Sequence, residues 1–235
     1  MLAGLDYDTL LRVIQQIDSV DYNVILQMLA DQKTILDREG VEWEGYERDL
    51  LLEQLNDYWI MQQLMPIISD ERFSLYNWRD LNVEDRKDLL QEFMDEIVDI
   101  FGIEVNPEIQ FFDRPSTPEG IRLGTYLHRR GIWPLERTVR EVSINEWVIE
   151  NEDELFSHEL LFRTVIHELR HGYQESAVDN PDDFILSAPT IHAWEMNSNN
   201  YILPEVNRTA YETQIIEVDA RGLEQAWCEV RVCLW

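Results

Sequence analysis

The first part of the chain alternates apolar and polar positions with a helical period. Apolar residues recur three and four positions apart in three segments, which read DYDTLLRVIQQID, DYNVILQMLADQKTILDRE and GYERDLLLEQLNDYWIMQQLM. The second segment ends at Gly40 and the third at Pro66, residue types that commonly follow the last turn of a helix. The pattern predicts an all-helical N-terminal region over residues 1–82.

A further helix is marked at both of its ends. Asn82 is a suitable N-cap, Asp85 follows three positions later, and Gly102 provides the stop. Between these ends, one apolar stripe runs through Leu89, Phe93, Ile97 and Ile100. The spacing predicts an amphipathic helix between Asn82 and Gly102.

After Gly102 the pattern changes to that of an α+β domain. Strand composition or strict alternation marks IEVNPEIQFFD, IRLGTYLHRRG and RTVREVSINEWVIE, which predicts a small antiparallel or mixed sheet. Helical periodicity returns in NEDELFSHELLFRTVIHELRHGYQES and in TAYETQIIEVDARGLEQAW. Between these helices, residues 179–207 read as a polar loop with a short helix around IHAWEMNSNNY. We therefore expect an α+β domain over residues 83–235.

The charge balance excludes some partners. The chain has 47 acidic and 19 basic residues, which gives a formal net charge of -28. Such a surface repels phosphate backbones and anionic lipids, so we expect neither nucleic acid nor a membrane as a direct partner. A basic peptide or protein would be attracted. Plain acidity and adaptation to a saline cytoplasm both explain the excess of carboxylates.

The sequence also bears on the compartment. No run of about eighteen apolar residues occurs, and the N-terminus MLAGLDYDTLLRVIQQID carries acids where a signal peptide requires basic residues. We therefore expect a cytoplasmic protein. Cys228 and Cys233 are five positions apart, which is not the spacing of a structural zinc knuckle. Buried thiols in a reducing compartment are the better interpretation.

The segment TVIHELRHGYQ, residues 164–174, predicts a metal site. His167 and His171 are four positions apart, so both imidazoles lie on one face of a helix, with Glu168 about 100° away. The opposite face is apolar and consists of Phe162, Val165, Ile166, Leu169 and Tyr173. Two neutral imidazoles one turn apart can bind one Zn²⁺, and the glutamate held off the metal can accept a proton from bound water.

A catalytic zinc ion needs a third protein ligand and an open position. The metzincin pattern is excluded, because Gln174 and Ala177 stand where it requires glycine and histidine. Glu217 is the better candidate, since small residues on its side of the last helix would allow a close approach to the histidine helix. Spacing alone leaves other ligands open in the polar loop, namely Asp179, Asp182, Asp183, His192 and Glu195.

One family shares these motifs. HELRHGYQ is followed by the pattern Y-x-x-Q-x-x-E-x-D-A, which consists of Tyr211, Gln214, Glu217, Asp219 and Ala220. This combination resembles the compact gluzincin-type zincin metallopeptidases, which include minimal forms in bacteria, phages and mobile elements. The resemblance covers roughly residues 83–235. It implies a zincin-like catalytic fold, in which a small sheet is combined with an active-site helix and a C-terminal helix.

The resemblance also implies a zinc-dependent peptidase and assigns roles to residues. The zinc ligands would be His167, His171 and Glu217. Glu168 would be the general base that activates a metal-bound water for hydrolysis of a peptide bond. By the same analogy, the strand in TVREVSINEW would be the sheet edge that pairs with an extended peptide substrate.

Two features of the family pattern stay open in this chain. The hydrogen-bond donor for the oxyanion is not fixed, and the candidates are Tyr211, Tyr201 and His192. Arg221 stands four residues after Glu217, where some larger gluzincins carry an acid that steadies a histidine ligand. Support for the metal-binding histidines must therefore come from elsewhere, or the affinity for metal falls.

Two other classes of function also fit the sequence. A binding or structural protein, of phage or mobile-element type, would use a zincin-like scaffold without catalysis and retain zinc for stability. An acidic inhibitor that mimics DNA would explain the charge, but it leaves the two histidines and the glutamate of the metal motif without a role.

Overall fold

A computed structural model describes residues 56–57, 60–103, 108–117, 121–129, 139–184 and 186–234. The helices that the sequence predicts over residues 1–55 lie outside the described residues, as do the side chains of Cys228 and Cys233. The described architecture is mixed α+β, mainly helical with one three-stranded sheet.

The elements follow the predicted order. Residues 60–68 are helical. The elements after them are η1 (Glu71–Phe73), α1 (Leu75–Asp80), α2 (Val83–Phe101), β1 (Gln110–Phe112), β2 (Gly124–Arg129), β3 (Val139–Asn145), α3 (Glu146–Asn151), α4 (Glu154–Asp179), η2 (Pro181–Asp183), α5 (Ala188–Ser198), α6 (Arg208–Glu212) and α7 (Ile215–Leu234). The predicted final helix is thus divided into α6 and α7, and the predicted short helix of the polar loop is α5.

Helix α2 has the predicted ends. The side chain of Asn82 accepts a hydrogen bond from the Asp85 backbone N–H at 3.1 Å, which satisfies a donor of the first turn. Gly102 ends the helix in the left-handed region with φ 61, where a side chain would be strained. Of the predicted stripe, Leu89, Phe93 and Ile97 are buried.

The sheet is mixed, and its strand order is β1-β3-β2. Strand β3 pairs with β1 in parallel and with β2 antiparallel, so it is the central strand. The prediction that the segment TVREVSINEW forms the sheet edge is therefore wrong. Within the described residues, the edge strands are β1 and β2, and β2 pairs Thr125 with Ser143 and Tyr126 with Val142.

Strand β3 is shorter than the sequence predicts, because Asn145 converts its end into a helix. The Asn145 side chain accepts from the Trp147 backbone N–H at 3.2 Å and so caps α3. It also donates to the carbonyl oxygens of Arg114 and Arg122 at 2.8 and 2.7 Å. One buried amide therefore starts α3 and fixes the loops that flank β1 and β2.

Helix α4 is the centre of the fold. Its N-cap, Asp153, accepts from the Phe156 backbone N–H at 3.0 Å. The helix contacts α1, α2, α3, α5 and α7 as well as strands β2 and β3. The predicted apolar face is confirmed as buried, and it consists of Phe162, Val165, Ile166, Leu169 and Tyr173. Burial of this face fixes which side of α4 is left for polar groups.

The described part of the N-terminal region shares this core. Ile60, Leu64 and Ile68 are buried in the same cluster as Phe162. Farther along, Phe73 and Trp78 pack edge-on against Phe162, with ring centroids 6.0 and 5.8 Å from it. The region from residue 60 to 80 is thus packed directly on α4, and the domain boundary at residue 82 stays a prediction.

Two polar contacts add to this packing. Arg170 of α4 is only 2% exposed, and it donates to Asp57 at 2.8 Å. The Tyr173 hydroxyl donates to Asn56 at 2.7 Å. Because both partners lie before residue 60, α4 is tied to the helical region by hydrogen bonds as well as by apolar contacts. Among the described helices, none is long and apolar enough to cross a membrane.

Strand β2 approaches α4 closely at Gly124. A Cβ atom at this position would lie 2.5 Å from Cγ2 of Thr164, 3.0 Å from the Ser143 carbonyl oxygen and 3.1 Å from Oε1 of Glu168. Real side chains do not tolerate the first distance, and the second neighbour is backbone that cannot rotate away. The absence of a side chain at residue 124 therefore allows the sheet to contact the metal-motif helix.

We expect Gly124→Ala to lower the free energy of unfolding by about 1–3 kcal/mol, the usual cost of overpacking. Gly222 is the matched control, because a Cβ there meets no described atom within 4 Å. Gly222→Ala should stabilise the chain by about 0.5–1 kcal/mol, since alanine favours a helix over glycine. Urea denaturation of both variants measures the difference, and equal effects would contradict the close approach.

Candidate metal centre

Three side chains meet between α4 and α7. The Nε2 atoms of His167 and His171 lie 3.1 Å apart on successive turns of α4. Glu217, the third residue of α7, places Oε2 3.5 Å from His167 Nε2 and Oε1 3.4 Å from His171 Nε2. The Glu217 residue is 0% exposed. The three residues predicted as ligands thus form one buried group that can hold a metal ion.

The spacing of the donor atoms fits a small metal ion. For tetrahedral coordination with bonds of about 2.0–2.1 Å, neighbouring ligand atoms lie about 3.3 Å apart. The two imidazole nitrogens are 3.1 Å apart, and each lies near a different Glu217 oxygen, His167 Nε2 at 3.5 Å from Oε2 and His171 Nε2 at 3.4 Å from Oε1. Two imidazole nitrogens and one carboxylate are also a donor set that transition metals accept.

The hydrogen bonds of Gln174 determine the tautomer of His171. The Gln174 amide nitrogen donates to the Ile216 carbonyl oxygen at 2.9 Å and to Oδ2 of Asp219 at 2.6 Å. Because both of these partners only accept, the amide oxygen must face Nδ1 of His171, which lies 2.9 Å away. Nδ1 therefore carries the hydrogen, and the lone pair of Nε2 points into the group.

Glu224 has the same effect on His167. Its Oε2 lies 3.2 Å from His167 Nδ1, and a carboxylate can only accept, so this nitrogen also carries a hydrogen. Arg163 holds the other carboxylate oxygen at 2.9 Å. Burial alone would raise the pKa of the Glu224 carboxyl, but the hydrogen bond from His167 and the charge of Arg163 lower it. Glu224 therefore stays ionised as an acceptor.

Both imidazoles consequently turn a lone pair towards the same point, which requires a cation there. Without a metal ion, the cation is a proton on His167. Burial disfavours the charged form of His167, but Glu217 and Glu224 outweigh burial and raise the pKa of His167 to about 10. Burial would raise the pKa of Glu217, but its close contacts with His167 and His171 hold it well below its usual range. Among the described residues, Oε2 of Glu217 is buried without a hydrogen bond. These features fit a metal ion at this point.

Glu168 lies beside the group but outside it. The residue is 6% exposed, and burial raises its pKa, while the charges of His167 and His171 act in the opposite direction. The Tyr126 backbone N–H of strand β2 also bonds its carboxylate. The predicted base therefore lies between the two candidate ligand histidines and the edge strand.

Two tyrosines approach the ligand carboxylate. The Tyr201 hydroxyl donates to Oε1 of Glu217 at 2.7 Å. Its ring lies edge-on to that of Tyr211, with centroids 6.1 Å apart. Burial, together with the nearby charge of Glu217 and a hydrogen bond to it, raises the pKa of both phenols well above the usual range. Both hydroxyls are therefore protonated at neutral pH and can donate hydrogen bonds.

The structure does not bring His192 into the group. Its side chain is 70% exposed, and Nδ1 lies 3.5 Å from Oε2 of Glu195 on the same helix. Asp179 pairs with Arg140 at 3.1 Å. The remaining open candidates of the polar loop, Asp182 and Asp183, are exposed. Of the described residues, only His167, His171 and Glu217 form a group of metal-ligand type.

Sequence reasoning assigned no supporting role to Gln174 or Glu224. Both could have been found from spacing, because Gln174 lies three residues after His171 and Glu224 lies seven residues after Glu217, each on the face of the ligand. Arg221, at the position that departs from the family pattern, places Nη1 3.5 Å from Oε2 of Glu217. The support expected from elsewhere is thus provided by Glu224 for His167 and by Gln174 for His171.

Comparison with known proteins adds no assignment. No family model matches the chain, and neither a curated protein nor a solved structure matches it significantly.

We expect the purified protein to bind one metal ion per chain when Zn²⁺ is supplied, because the three donors converge on one point. His167→Ala and Glu217→Ala should each abolish this binding. Elemental analysis after dialysis measures the stoichiometry, and His192→Ala is the control that should retain the metal. Metal retained in both ligand variants would contradict the site.

Binding of Zn²⁺ should release about one proton per chain at pH 8, since the proton on His167 must leave before Nε2 can bind a metal. Calorimetry in two buffers of different ionisation enthalpy measures this number. Glu224→Gln should reduce it, because loss of the carboxylate lowers the pKa of His167. No release would show that the imidazole pair is neutral without metal.

The same pKa sets the pH dependence of the metal-free protein. Because the folded pKa of His167, about 10, exceeds the unfolded value of about 6.5, its protonation stabilises the fold fully below pH 6.5. That contribution is lost as the pH rises towards 10.

Proposed function

We propose that this chain is a zinc-dependent peptidase with a zincin-like fold, active on basic peptides or proteins. One observation carries the proposal: His167, His171 and Glu217 converge with both imidazole Nε2 atoms turned inward, and the buried carboxylate of Glu168 lies beside them. A histidine helix packed on a small sheet, with an antiparallel edge strand next to the base, supports the fold assignment.

Zinc is the metal that the donor set favours. Two histidines and one glutamate with an open position are a donor set that catalytic zinc sites use. A bound Zn²⁺ would supply a Lewis acid that acidifies water and polarises the scissile carbonyl. Glu224 and Gln174 hold the two imidazoles in the tautomer that this ion requires.

Glu168 acts as the proton carrier. Because burial raises the pKa of this carboxyl, its carboxylate is a stronger base than that of an exposed glutamate. Its carboxylate accepts the proton of the attacking water and then donates it to the leaving nitrogen. The Tyr126 N–H bond fixes one side of the carboxylate against the edge strand.

Strand β2 is the surface on which a peptide would align. In the described sheet it has a partner only on its β3 side, so its outer N–H and C=O groups can pair with an extended substrate. A peptide added there would run past Glu168. The Tyr201 hydroxyl donates to Glu217, so Tyr211 is the tyrosine proposed as donor for the developing oxyanion. The net charge of -28 attracts a basic chain.

Glu168→Gln tests this mechanism. The variant keeps the shape of the side chain and all three ligands, so we expect wild-type metal content with hydrolysis reduced by at least about 100-fold, the usual contribution of a general base. The assay is cleavage of internally quenched peptides that carry basic residues, with acidic peptides compared in parallel. Glu159→Gln, an exposed position on the same helix, is the control and should retain full activity.

The outcomes separate the functional classes. Turnover retained in Glu168→Gln would remove the proposed mechanism. A wild-type chain that binds metal, cleaves no peptide in the library and unfolds when the metal is removed would be a binding or structural protein. Displacement of DNA from a basic protein, without turnover, would identify an acidic mimic.

A further inference from the structure

Gln214 occupies the break between α6 and α7, and the proposed reaction gives it no role. Helix α6 ends at Glu212 and α7 begins at Ile215, so Gln214 lies just before the turn that carries Glu217. A polar side chain at a helix boundary is normally solvated, but Gln214 is only 7% exposed. A buried amide of this kind needs specific hydrogen-bond partners.

The partners lie on the segment that carries Tyr201. The Gln214 amide oxygen accepts from the Ile202 backbone N–H at 2.7 Å, and its nitrogen donates to the Ile202 carbonyl oxygen at 3.0 Å. Two bonds to one residue fix both the position and the direction of that backbone. Tyr201 is the preceding residue, so its Cα position is set by the same contact.

Asn197 completes the attachment from the end of α5. Its side-chain nitrogen donates to the Gln214 oxygen at 3.1 Å, and its side-chain oxygen accepts from the Ile216 backbone N–H at 3.2 Å. The latter N–H belongs to the first turn of α7, where backbone donors lack partners within the helix. Asn197 and Gln214 together join the 197–202 segment to the start of α7. We call this pair of amides the amide clamp.

The amide clamp determines the position of the Tyr201 hydroxyl. With Ile202 fixed, the phenol reaches Oε1 of Glu217 at 2.7 Å. This bond occupies one carboxylate oxygen, while Oε2 has no hydrogen bond among the described residues. The carboxylate is thus held in one orientation, in which Oε2 lies 3.5 Å from both His167 Nε2 and Arg221 Nη1.

We propose that Gln214 is a positioning residue of the metal centre: through Ile202 it holds Tyr201 on Glu217, and so presents the third ligand to the metal in a single orientation. The inference rests on the metal site of the proposed function but not on peptide hydrolysis. Gln214 itself touches neither the metal-binding atoms nor the substrate surface.

A double-mutant cycle on metal affinity tests this role. Tyr201→Phe removes the bond to Glu217, and Gln214→Met keeps the side-chain volume but removes the clamp. We expect each to weaken Zn²⁺ binding about tenfold, in the range found for residues that orient ligands. If Gln214 acts through Tyr201, the double variant should be no weaker than Tyr201→Phe alone. Competition with a chromophoric chelator measures all four affinities.

A spectroscopic readout distinguishes positioning from general destabilisation. With Co²⁺ in place of Zn²⁺, Gln214→Met and Tyr201→Phe should produce the same change in visible absorption, because both release the same carboxylate. Thr213→Ala is the matched control, since this exposed neighbour bonds carbonyl oxygens of its own turn, and it should retain the wild-type spectrum and affinity. If Gln214→Met does not fold, Asn197→Ala removes the other half of the clamp, and the same non-additivity is expected.

The outcomes also separate this inference from the proposed function. Wild-type affinity in a folded Gln214→Met variant, or losses that multiply in the double variant, would overturn the positioning role while leaving the peptidase proposal intact. Normal metal binding with the predicted non-additivity, but no cleavage of any peptide, would support the clamp and refute the peptidase. A wild-type chain that binds no metal would refute both.

Discussion

The structure depends on one constraint. Glu217 is fully buried, and it lies against two imidazoles whose lone pairs face inward. A buried carboxylate is costly unless it is paired, and two neutral imidazole lone pairs at 3.1 Å repel each other. A cation between them relieves both problems at once. Helices α4 and α7 can therefore pack closely only because the three polar groups satisfy one another through a proton or a metal ion. Outside this group, Glu224 and Gln174 complete the hydrogen bonds of the two Nδ1 atoms.

Helix α4 combines three separate surfaces. Its apolar face fills the core, its histidine face forms the candidate metal centre, and its third side carries Arg170, which bonds Asp219 of α7 and Asp57 of the helical region. Asp219 also accepts from Gln174, the residue that orients His171. The hydrogen bonds that orient this candidate metal ligand are therefore continuous with those that attach residues 56–57. The same side chains stabilise the packing of α4 and orient the candidate ligand, so a substitution among them affects both.

The sheet contributes position rather than ligands. Strand β2 approaches α4 at Gly124, and its backbone N–H at Tyr126 bonds the Glu168 carboxylate. Since β3 is central, the free edge that lies next to Glu168 is β2 and not the strand that leads towards the histidine helix. Tyr201 and Tyr211 approach from the loop and helix before α7. The candidate site is thus built from the edge strand, α4 and the start of α7, each held by its own buried contacts.

The sequence by itself determined what depends on local periodicity. The ends of α2 follow from the capping residues Asn82 and Gly102. The buried face of α4 and the shared face of His167 and His171 follow from helical spacing, and Glu217 followed from the face of a second helix. Only the tertiary structure decided the central position of β3, the exposure of His192 and the role of Gln214. Those features depend on contacts between elements far apart in the chain, and spacing within one element carries no information about the partner that it meets.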